Sequence, residues 1–137
     1  MLRAAVLSIL VALTACGAPE DARIQRSAGA EDIRIETPEP GARTASPLIA
    51  SGEADNTWYF EAVFPARLMT ADGTVIAEAP AIAASDWTRE GAVPFNVEMA
   101  FTVDAETQAT LVLEEDMPGE GEPRQVRIPV VLLPGTQ

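Results

Sequence analysis

From Trp58 to Thr70 the large residues fall on every second position: Trp58, Phe60, Ala62, Phe64, Ala66 and Leu68, with Glu61 and Arg67 on the other parity. A period of two puts alternate side chains on opposite sides of an extended chain, so the stretch reads as a strand with one face in a core. Ala71-Asp72-Gly73 follows, a composition suited to positive φ, and Thr74 to Ala83 would return alongside as the second arm of a hairpin. This hairpin commits the chain to β structure.

Other runs repeat the pattern. Ile33 and Ile35 alternate with charged residues before Thr37-Pro38-Glu39-Pro40-Gly41 breaks the strand, and Ser46 to Ala54 forms a second. Ala84 to Gly91 is a crossing loop containing Trp87. Val93, Phe95, Val97, Met99, Phe101 and Val103 then give the cleanest alternation in the chain, followed by Thr110 to Glu115, a long turn at Pro118 to Pro123, and Gln125 to Leu133. Pro129 has no N–H to give a ladder, which places it on an edge strand or at a bulge. Seven short strands with turn signals between them, and no helical period, predict an all-β immunoglobulin-like antiparallel sandwich. A closed barrel of the small OB type is the rival. Phe60 and Phe101 are both expected in the core.

The length of 137 residues suits one domain. Two features restrict its chemistry. Histidine is absent and Cys16 is the single cysteine, which removes the usual zinc, copper and iron sites, the Ser-His and Cys-His nucleophile pairs, and any intrachain disulfide. Nine basic residues, all arginine, stand against 21 acidic ones, for a formal charge of -12. That balance repels phosphate backbones and excludes nucleic acid as a partner.

The first 15 residues carry one early charge, Arg3, and an apolar run from Ala4 to Leu13 that is too short for a lasting membrane span. The run ends in Leu13-Thr14-Ala15-Cys16, which resembles the bacterial lipobox. The resemblance implies a signal peptide over 1–15, cleavage before Cys16, and a lipid-modified Cys16 anchoring the chain to the membrane. Several acyl chains on one residue hold firmly, since each buried methylene adds about 0.8 kcal/mol. Gly17, where aspartate would mark retention in Gram-negative lipoproteins, implies the periplasmic face of the outer membrane in a cell that has one. Residues 16–30, rich in Ala, Gly, Ser and charge, are expected to be a flexible tether, with the domain over 31–137.

The phrase Ser46-Pro47-Leu48-Ile49-Ala50-Ser51-Gly52-Glu53-Ala54 precedes the cluster Trp58-Tyr59-Phe60-Glu61-Ala62, and then Asp72-Gly73 and Ala77-Glu78. With Pro94-Phe95, Leu111-Val112-Leu113-Glu114 and the run from Val126 to Leu133, this resembles the immunoglobulin-like domain named for bacterial spore germination, the Gmad type-two family. The likeness covers about residues 32 to 133. It implies an immunoglobulin-like sandwich on an exported or lipid-anchored protein, and brings no catalytic motif with it.

The acids sit on outward parity or in turns, as solvated charge does, and offer no facing pair for glycoside hydrolysis. Asp55 with Glu53, and the acids from Glu114 to Glu122, could supply oxygen ligands for calcium, but the punctuated loop of an EF-hand is missing. No cofactor is expected. Trp58 shares the parity of Phe64 and belongs to the core, whereas Tyr59 and Trp87 are candidates for an exposed contact with a sugar or peptide. The expected function is a lipid-anchored, non-enzymatic binding or assembly module of the cell envelope, its partner another envelope protein. Carbohydrate or cell-wall glycan binding is the alternative.

Overall fold

The computed structural model describes residues 22–135, and the signal peptide expected over 1–15 and Cys16 lie outside them. Among the described residues nine strands, β1 (Gln25–Arg26), β2 (Ile33–Thr37), β3 (Ala42–Thr44), β4 (Leu48–Asp55), β5 (Val63–Thr70), β6 (Val75–Ala83), β7 (Ala92–Met99), β8 (Thr107–Glu114) and β9 (Gln125–Leu132), form one hydrogen-bonded sheet. Its order is β1-β9-β8-β5-β6-β7-β4-β2, with β3 parallel to β9. The sheet folds on itself at β6 and β7, which share only the pairs Ile82 with Asn96 and Ala83 with Phe95. One layer is therefore β2, β4 and β7, and the other runs from β9 through β8 and β5 to β6.

Alternation places the core between these layers. Leu48, Ala50 and Ala54 on β4 and Val93, Phe95, Val97 and Met99 on β7 face Phe64, Ala66 and Leu68 on β5 and Leu111 and Leu113 on β8, all buried. The Phe64 and Phe95 rings meet edge to face with centroids 5.1 Å apart, although their strands are not neighbours in the sheet. That contact is what makes the folded sheet a sandwich. The β5–β6 hairpin closes as its residues demand: Gly73 takes φ 87°, and the Asp72 carboxylate accepts the Thr74 N–H at 3.1 Å. These bonds, the Thr70 hydroxyl foremost, hold the Asp72 carboxyl below its ordinary pKa.

Gly52 on β4 has a steric reason. A Cβ there would lie 2.0 Å from the backbone oxygen of Arg34, because β2 closes on β4 just where its register shifts between Ile35 and Thr37. Ser46, four residues before Ala50 in the same phrase, accepts the Phe101 N–H at 3.0 Å and ties the end of β7 to the start of β4.

Three expectations are corrected. Phe60 is 42 % exposed, not core. Asp55 caps a 3-10 turn over Asn56–Trp58, and Glu61 and Ala62 take positive φ of 49° and 69°, so the extended strand starts only at Val63. The parity read from Phe64 onward holds; before it the chain turns. Second, part of the stretch expected as tether is folded: β1 pairs with β9, Ala30 is fully buried, and the Arg26 guanidinium donates to the carbonyls of Ala30 and Ile33. Third, β9 is not an edge, since β8 lies on one side and β1 and β3 on the other. Pro129 fits because its carbonyl accepts from Gly41 N–H, so its N faces the same outer side, in the gap between the β1 and β3 pairings.

Candidate functional site

Two features stand out at the pole where β1 turns into β2 and β4 into β5. The first is Arg124, at the start of β9. Its Nε donates to Glu115 at 2.9 Å, Nη2 donates to the Thr57 hydroxyl at 2.8 Å and again to Glu115, and Nη1 donates to Asp32. Its guanidinium carbon lies 5.1 Å from the centroid of the Trp58 ring, whose Nε1 donates to the other Asp32 oxygen at 2.8 Å. Burial opposes the charge on Arg124, yet the hydrogen bonds and charges of Glu115 and Asp32 outweigh that and raise its pKa above the ordinary arginine value. One cation thus joins three loops over the fully buried Trp58. With each of its nitrogens engaged, Arg124 clamps the loops together.

The second feature is a groove of about 500 Å³ on the outer face of the β5–β6 hairpin. Val63, Pro65 and Pro80 give it apolar surface, and Arg67, Glu78 and Asp116 give it charge. Pro65 and Pro80 are opposite each other in register, as are Arg67 and Glu78. Arg67 is turned away to Glu114, 3.0 Å distant. The prolines shape the edge as well. Ala83 N–H points to Ala62 on the β5 side and Ala84 N–H to Pro94 on the other, so even-numbered residues face away from β5 and the missing donor of Pro80 lies on the free side of β6. That side cannot form a continuous ladder with an added strand. The outer side of β2 carries no proline.

The two contact residues expected from the sequence part ways. Tyr59 is 5 % exposed, packs edge to face on Phe64 at 5.1 Å, and donates its hydroxyl to Val93 O at 2.6 Å. It is a core residue, and its candidacy as an exposed contact is withdrawn. Burial first, and the nearby Glu53 charge second, raise its phenol well above the ordinary value. Trp87 is half-buried in the β6–β7 loop against the core. Cys16 falls outside the described residues. Sequence reasoning missed the groove, whose prolines signal it only once the β5–β6 register is known.

Several of the acidic residues have local duties. Glu114 accepts from Arg67 and from Gln125, Glu115 binds Arg124, and Asp55 caps the Thr57 N–H at 3.1 Å. Among the described residues no three acidic, cysteine or histidine side chains gather as metal ligands do.

Two layers with a first strand pair that crosses from one to the other, β2 on β4 and β3 parallel to β9, define an immunoglobulin-like sandwich. The model of the immunoglobulin-like domain of bacterial spore germination matches residues 32–122, and the chain belongs to that family. No curated protein and no solved structure matched the chain. The phrase from Ser46 to Ala54 now has a physical content: a hydroxyl that caps a strand end, small residues in the core, and a glycine where two backbones touch.

Proposed function

We propose that the protein is a lipid-anchored, non-enzymatic binding or assembly module of the bacterial cell envelope. The observation that carries this reading is Leu13-Thr14-Ala15-Cys16 standing 16 residues ahead of the start of the matched immunoglobulin-like domain at residue 32. Because folded chain begins by β1, the link from Cys16 to Ala22 spans at most about 20 Å. The domain is then held close to the lipid surface, at the periplasmic face of an outer membrane where Gly17 directs it. Chain entry is beside β3 and β9, where a Cβ on Gly41 would lie 3.2 Å from Ala22. The β5–β6 hairpin is the far end of that layer, beyond β9 and β8, and stays open to another envelope protein.

The test is membrane fractionation and intact mass of the native protein beside Cys16→Ser. Acyl mass on the native chain, and release of the variant from membranes, are expected. An unacylated native chain, or a variant that fractionates unchanged, would overturn the anchor. Crosslinking in intact cells identifies the partner.

A further inference from the structure

We infer that the groove on the outer face of the β5–β6 hairpin docks an extended, lysine- or arginine-bearing segment of a partner protein. This deepens the binding reading above and rests on it. Two adjacent rungs of the hairpin, Val63 with Ile82 and Pro65 with Pro80, present apolar outer surface, and Ile82 is 53 % exposed. Such a strip accepts the aliphatic stems of basic residues or an intervening apolar side chain. The next rung sets the charge. Arg67 is neutralised by Glu114, so the groove keeps Glu78 and Asp116, which among the described residues make no ion pair and accept no side-chain hydrogen bond. Asp116 is held in place through its N–H, which donates to Trp58 O at 2.9 Å.

A cation beside an apolar stem is therefore the complement that Glu78 and Asp116 select at this strip, and a chain of net charge -12 draws cationic segments toward it. The prolines add a condition. An incoming segment cannot continue the β6 ladder past Pro80, so recognition goes through side chains over the face of the hairpin and not through strand addition at its rim.

The experiment measures fluorescence anisotropy of a labelled synthetic Lys-Leu-Pro repeat peptide with the full protein purified in neutral detergent. Glu78→Gln and Asp116→Asn should each weaken binding by about fivefold to tenfold, and added salt should weaken it further. Glu39→Gln and Asp104→Asn, exposed acids elsewhere that change net charge equally, should alter it by less than about twofold. Ile82→Ser should also weaken it, with its folding unchanged by urea titration. Equal losses in the groove and control variants, or no binding to the native protein, would overturn the site. That failure is separable from failure of the envelope reading: fractionation and in-cell crosslinking report the anchor and a partner whether or not this groove is used.

Discussion

Strands β4 and β6 are nearly equal in length and opposite in circumstance. β4 runs between β2 and β7, pairing with β7 at every residue from Leu48 to Asp55, and its inward side chains are buried. β6 pairs with β5 along its length but meets β7 only at Ile82 and Ala83, and its outward residues stand in solvent. The phrase from Ser46 to Ala54 that opens the likeness to the family lies mainly on β4, where its side chains serve packing. Solvent-exposed surface lies on β6, where the likeness rests on Ala77-Glu78 alone. A family phrase can therefore certify the fold without pointing to the site.

The sharpest way to break this contrast is Gly52→Ala. The new methyl would overlap a backbone oxygen that belongs to a paired strand and cannot step aside, so β2 must detach. We expect a loss of about 4 kcal/mol or more in urea unfolding, or failure to fold. A loss below about 1 kcal/mol would mean that β2 is not packed on β4 as described.

Phe64→Ala comes next. Phe64 is fully buried and meets Trp58, Tyr59 and Phe95 edge to face, so its removal should cost about 3 to 5 kcal/mol. Arg124→Ala should cost less, about 2 to 3 kcal/mol, because it strands Glu115 and Asp32 while leaving water near enough to solvate Asp32 in part. Salt should leave that loss nearly unchanged, unlike the loss from an exposed pair such as Arg34 with Glu53. Urea titrations at low and high salt check both.

These residues also show what the sequence made legible. Seven of the nine strands among the described residues follow from alternation or from the turn signals that bound them, since a buried face needs apolar residues at every second place and a hairpin turn sends the chain back alongside. β1 and β3, two and three residues long, are too short to repeat a pattern, and their pairing depends on where β9 lies. Phe60 misled because its spacing from Phe64 is correct for a strand while the backbone at Glu61 and Ala62 is not extended. Asp55-Asn56-Thr57 was the local signal for that turn, an acidic cap with two residues that favour turns. Tyr59 misled for the same reason, since leaving strand geometry lets consecutive Trp58 and Tyr59 both face inward. The Arg124 clamp joins residues 32, 57, 115 and 124, which no spacing rule connects.

Tyr59→Phe gives a smaller effect with a sign that depends on pH. At neutral pH the loss of the bond to Val93 O should cost about 1 kcal/mol. The phenol pKa is raised in the folded state, so the native protein holds its proton above pH of about 10 where the unfolded chain releases it. Stability is therefore full below that pH and falls as pH rises through it. Phenylalanine has no proton to lose, and the variant should unfold at higher pH than the native protein. An unchanged alkaline midpoint would show that Tyr59 is not the group responsible.

The smallest effects belong to the outward residues of the hairpin region, and they test the contrast most finely. Phe60→Ala should cost under about 1 kcal/mol in urea unfolding, against the 3 to 5 expected at Phe64 four residues away, because Phe60 keeps 42 % of its surface in water in the folded state. Ile82→Ser should change stability by no more than about 0.5 kcal/mol. Ile82 is one of only two β6 residues paired to β7, but that pairing is made by backbone groups, which serine supplies equally well. A loss well above 1 kcal/mol at Ile82 would mean that its side chain helps to fasten the two layers. The exposed strip would then belong to the fold, as β4 does, and would not be surface left free for a partner.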